Sequence, residues 1–151
     1  MTANDEHDVH FRRLERLYRG APVNEYFLPT IAIRDGEADI AIDVRQDFFH
    51  AANAIHGVVY FKLIDDAAFF AVASRVPDVF VLTAQLTVNF NKPVTAGRLT
   101  AFGKVTGAEG RRFFAEASIL DADGNVVGSG TGVFVRSKIP LSTISGYNET
   151  D

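Results

Sequence analysis

Two adjacent aspartates, Asp65 and Asp66, interrupt a long apolar run, and their positions differ in kind. From Gly57 to Arg75 the chain runs about 18 residues without a further Gly or Pro, too long for a strand, so it predicts a helix. At about 100° per residue, Asp65 falls in a stripe with Val58, Phe61, Phe69 and Val72. Desolvation there disfavours the charged form, which makes Asp65 a candidate general base or nucleophile. The position also suits a buried acid satisfied by a hydroxyl such as that of Thr83, and periodicity leaves both readings open. Asp66 lies one helical turn after Lys62, the spacing of an ion pair on a helix surface.

His56-Gly57 opens this helix. A glycine at a helix N-terminus lets a ligand approach a backbone N–H where partial positive charge favours an oxyanion. His56 reads as an acid–base group or as a loop histidine. His50 and Asn53, just upstream, could orient a carbonyl or a water, or simply fill the loop. There is no phosphate-cradling loop, because Gly107-Ala-Glu-Gly110 lacks the Lys and Ser/Thr that would follow. A phosphate-bearing ligand would have to meet scattered cations. Arg111 and Arg112, at a turn, lead these, with Lys104, Arg136 and Lys138 behind. Each of them also reads as a solvated strand-edge charge.

The elements that must position these residues follow from periodicity. Phe11, Leu14, Leu17 and Tyr18 recur at helical spacing between His10 and Arg19, after a polar start expected to fray. From Thr30 the period becomes two. Ala38, Ile40, Ile42 and Val44 form one strand face, and Leu82, Ala84, Leu86, Val88 and Phe90 another. After Pro93 and Gly97, three strands follow through short turns, an antiparallel meander. The helix from Gly57 is apolar nearly all round and is therefore expected to be buried. The fold predicted is α+β, an antiparallel sheet of five or six strands wrapped around one long helix. Gly128, Gly130 and Gly132 share a face of the last strand, where it would cross that helix or leave bare backbone for a ligand.

Composition narrows the function classes. The 151 residues fit one domain, read as a polar tail and short helix (1–24), a main domain (25–140) and a tail (141–151). A net charge of −4 argues against nucleic acid, and the absence of cysteine excludes disulfides and thiol nucleophiles. An acidic N-terminus and no long apolar run point to a cytoplasmic protein that does not engage a membrane.

Asn53-Ala-Ile-His56-Gly57, then a long apolar helix carrying Asp65, resembles the hotdog thioesterases of the phenylacetate-pathway type. Asn89-Phe-Asn-Lys-Pro93 and the terminal meander match the same layout, and the resemblance spans roughly residues 25 to 137. It implies hydrolysis of an acyl-coenzyme A by a homodimer or homotetramer, with no cofactor beyond the coenzyme A of the substrate. It also implies that Asp65 is base or nucleophile, that the Gly57 N–H polarises the thioester carbonyl, and that Thr83 orients the water or the carboxylate. Two positions depart from the pattern. Val58 stands where the family usually has a second glycine, so the thioester channel is expected to be narrower. His50 stands where it usually has asparagine, so the water would be held differently. A non-catalytic acyl-CoA-binding module is the alternative these departures allow. A hotdog hydratase would need a histidine–acid pairing in a different sequence context, which is absent.

Overall fold

The alternating stretches assemble into a single six-stranded antiparallel sheet in the computed structural model, which describes residues 2–148. The helices are α1 (Ala3–Arg19), α2 (Asn24–Phe27), α3 (Gly57–Ala73) and α4 (Ser145–Asn148). The strands are β1 (Thr30–Arg34), β2 (Glu37–Asp43), β3 (Val79–Phe90), β4 (Arg98–Glu109), β5 (Arg112–Leu120) and β6 (Val126–Pro140). Their order is β1-β2-β4-β5-β6-β3, and the expected meander is β4-β5-β6. This is the hotdog arrangement, with α3 as the filling.

The sheet closes on α3 because one face of each strand is apolar or has no side chain. Ile40, Leu99, Ala101 and Ile119 are fully buried, as are Val59, Leu63, Ile64 and Ala67 of the helix. Each large aliphatic side chain so buried contributes about 1.5–3 kcal/mol. Bare backbone brings the layers together. A Cβ on Gly103 would lie 2.2 Å from the Ala67 carbonyl oxygen, and one on Gly130 would lie 2.8 Å from the Ile64 side chain. Gly128 and Gly130 of β6 thus let the strand pass close to Tyr60 and Ile64 of α3, whereas Gly132 makes room for the rings and side chains of Phe134 and Leu86.

The chain's start differs from expectation. Helix α1 begins at Ala3, not near His10, because Thr2 and Asp5 form a reciprocal capping box. It packs on the rest of the fold through Phe11, Leu14 and Tyr18, which are buried. It also covers the β1 edge. Glu15 accepts the Ile33 N–H at 2.8 Å, and Arg12 donates to the Ile33 carbonyl at 2.8 Å, taking the place of a neighbouring strand. The opposite edge, β3, is paired on one side only, with β6.

Strand β3 has a register shift between Thr83 and Gln85. The extra residue, Ala84, changes the phase, so Val81 and Thr83 face the helix before the bulge and Leu86 and Val88 face it after. Continuous alternation would have put Leu82 inward, yet it is exposed. Helix α3 is not buried all round either: Val58 is 53% exposed and Phe61 42%. The bare face continues onto β3, where Phe90 is 55% exposed.

Candidate active site

The N-terminus of α3 is built by the loop before it. Asn53 adopts a left-handed conformation (φ 64°) and turns the chain, with its N–H donating to the His50 carbonyl. Its side chain is exposed. His56 is the N-cap, and its Nδ1 accepts the Val58 N–H at 2.9 Å. With Nδ1 occupied in this way, Nε2 is the ring nitrogen left to meet a ligand. His50 is engaged in the same way, its Nδ1 accepting the Ala52 N–H at 3.0 Å. Gly57 occupies the first helical position, where its N–H has no acceptor among the described residues. A hollow of about 400 Å³ opens there, lined by His50, Gly57, Tyr60, Phe90, Asn91 and Lys92 among others. An unpaired N–H facing such a hollow can donate to a negatively charged oxygen placed there.

Asp65 lines a second hollow, of about 330 Å³, farther along α3. Thr83 donates to its Oδ1 at 2.8 Å, a contact the β3 bulge makes possible. Burial pushes the Asp65 carboxyl above the usual carboxylate range. The Thr83 hydrogen bond opposes this, the Asp66 charge adds to it, and Lys62 opposes it. The result is a carboxylate that holds its proton more readily than an exposed one, as a base must.

Asp66 does pair with Lys62, at 2.6 Å, but not on an open helix surface. Its Oδ2 also accepts the Tyr18 hydroxyl at 2.6 Å. Burial raises the Asp66 carboxyl, while Lys62 and Tyr18 pull it back. The Lys62 ammonium lies 5.0 Å from the centre of the Tyr18 ring and 5.3 Å from that of Phe27. In the sequence, Tyr18 shows only as one of the residues at helical spacing in the first helix. Other walls of this hollow come from Leu17 and Val23, from Phe69 and Phe70 of α3, and from Phe80–Thr83. Among residues missed in the sequence, Lys92 could have been noticed, because it sits in the Asn89–Pro93 stretch that carried the resemblance.

Gly57 and Asp65 are separated by eight residues of one helix, about 12 Å at 1.5 Å per residue. The cations are not brought together. Arg111 and Arg112 sit at the β4–β5 turn, and Arg112 lies over the Phe114 ring at 5.7 Å. Lys104 is on the sheet face turned away from α3 and pairs with Glu116 at 3.4 Å, so it stands apart from both hollows. Arg136 is paired with Asp78.

Residues 52–128, which hold the loop, α3, β3 and most of the meander, match the thioesterase superfamily. The chain belongs to the thioesterase superfamily. This membership supports a hydrolase. A proposed esterase of Saccharolobus solfataricus is 24% identical over 132 residues, covering 85% of this chain and 94% of that one. The PaaI protein of the E. coli phenylacetic acid degradation operon superposes with a TM-score of 0.80 at 19% identity, covering 88% of this chain and 96% of its own. A mutant of the phenylacetic acid degradation protein PaaI of Thermus thermophilus gives 0.70 at 24% identity, covering 78% and 100%. At these identities the superpositions speak for the shared superfamily fold.

Proposed function

We propose that this superfamily member hydrolyses an acyl-coenzyme A thioester at a site shared by two copies of the chain. The observation that carries the proposal is the pairing of an unsatisfied Gly57 N–H with a desolvated Asp65 carboxylate, each beside its own hollow on one helix. An oxyanion donor and a base serving one carbonyl must both lie about 3 Å from the reacting atoms. One helix cannot supply both across about 12 Å. An antiparallel second copy can, by setting its Gly57 against the first chain's Asp65. The uncovered Val58, Phe61 and Phe90 and the open β3 edge are the surfaces such a pair would bury.

In this site Asp65 takes a proton from water as the water oxygen attacks the thioester carbon. Negative charge collects on the carbonyl oxygen, where the Gly57 N–H of the other copy meets it, and the His56 Nε2–H is a further donor at the same helix end. The C–S bond then breaks, and the proton held by Asp65 passes to the departing thiolate. Direct attack by the Asp65 carboxylate is the other route open to the same geometry. Arg111, Arg112 and Lys92 are assigned to the phosphates of coenzyme A.

Acetyl-, hexanoyl- and phenylacetyl-coenzyme A, assayed by release of free thiol, test the proposal. Hydrolysis of at least one is expected, with Asp65→Asn slower by about 10²–10⁴-fold. Binding without turnover on every substrate would favour the acyl-CoA-binding module instead, the reading that Val58, exposed beside Gly57, would support by narrowing the channel.

A further inference from the structure

Asp66 is a largely buried carboxylate that the reaction leaves unused. It sits next in sequence to Asp65, yet its carboxylate turns to a different set of partners: the Lys62 ammonium and the Tyr18 hydroxyl, both at Oδ2 and both at 2.6 Å. The ammonium is held in turn by the faces of Tyr18 and Phe27. The network thus ties three elements, α1, α2 and α3, together beside the hollow that holds Asp65. Two hydrogen bonds and a full opposite charge in a largely desolvated place are a strong constraint on one carboxylate. They also place one fixed negative and one fixed positive charge within a helical turn of the reacting group.

We propose that Asp66 and Lys62, clasped by Tyr18 beside the same hollow, are positioning residues that set the charge state of Asp65, which makes α1 part of the active site. This rests on the reading of Asp65 as the reacting carboxylate. The titratable groups facing Asp65 are few: Lys62 and Asp66 on its own helix and Tyr18 on α1, while the Phe80–Thr83 stretch of β3 contributes no charge. Removing Asp66 deletes a like charge and releases Lys62, so Asp65 should ionise at lower pH. Removing Lys62 deletes an opposite charge, so Asp65 should ionise at higher pH. Removing both should largely cancel.

The experiment compares Asp66→Asn, Lys62→Met and the double variant in the full chain. Asp65 is followed by carboxyl-carbon NMR and by the acid limb of kcat/KM with hexanoyl-coenzyme A. Shifts of about 0.5 pH unit or more, in opposite directions for the single variants and nearly absent in the double, are expected. A network that only held the fold together would lower stability without this sign pattern. Shifts in one direction for both single variants, or none, overturn the proposal. If a neutral variant does not fold, Asp66→Glu and Lys62→Arg keep both charges and should leave the titration near the native value. A shift in these as large as a neutral substitution would produce also overturns it. Asp65→Asn separates the two layers. Full activity in that variant removes the functional reading, whereas an inactive Asp65→Asn with no shifts elsewhere removes only this inference.

Discussion

Asp65 is placed where a carboxylate works against the fold. Its folded form holds the proton more tightly than the unfolded chain does, because burial penalises the charge. Stability therefore falls as pH rises from the ordinary carboxylate range through the raised folded value, and at neutral pH the ionised group weighs against folding. Asp65→Asn keeps an acceptor for Thr83 and removes that charge. It should melt higher than the native chain at neutral pH, by roughly 2–4 °C for each kcal/mol relieved, and should lose this advantage below the usual carboxylate range. A melting temperature that is unchanged at neutral pH would contradict the burial argument. The Asp65–Thr83 contact was legible in the sequence because a carboxylate in an apolar stripe demands a nearby donor. Tyr18 was not legible. A tyrosine at helical spacing reads as core, and its partner Asp66 lies 48 positions further on.

At the scale of elements, the sequence showed the strands and the long helix through their periods, and both are present. The β3 bulge left no mark, since Leu82 to Phe90 alternates without a break and one unpaired residue changes the phase silently. The start of α1 was hidden by composition: a polar, acidic stretch looks like a tail until Thr2 and Asp5 are seen to cap each other. Gly103 was one alternating position among many, although a Cβ there would meet the α3 backbone at Ala67 and Ala68. Gly103→Ala would drive a methyl into the Ala67 carbonyl and should destabilise the fold by about 3 kcal/mol. Gly107→Ala on the same strand, where the nearest atom is 3.8 Å from the added Cβ, should be nearly neutral. Chemical denaturation of the two variants decides it, and equal losses would mean that the helix contact is softer than the geometry shows.

For the whole molecule, the shared site predicts complementation. Gly57→Pro removes the N–H with little cost to the helix, because proline suits the first helical position and His56 already has the extended backbone (φ −64°, ψ 147°) that a following proline requires. Alone, Gly57→Pro and Asp65→Asn should each be nearly inactive. Dissociated and reassembled together, they should regain about a quarter of the native rate, since half of randomly mixed pairs are heterodimers and each has one intact site. No recovery in a sample shown to contain heterodimers would count against the two-chain site, and light scattering that finds a monomer at micromolar concentration would do so directly.

The pairing of Arg12 and Glu15 with the Ile33 peptide has a consequence for how far such a molecule can grow. A sheet with two bare margins can add copies at both and run on into a fibre. Here a helix of the same chain occupies one margin, so among the described residues the other is the one left to recruit. Two copies joined there about a two-fold axis use up every free margin they have, and growth by strand addition ends at a pair. Loss of the Glu15 carboxylate would reopen the second margin, and the first sign would be turbidity on concentration, ahead of any change in the chemistry along α3.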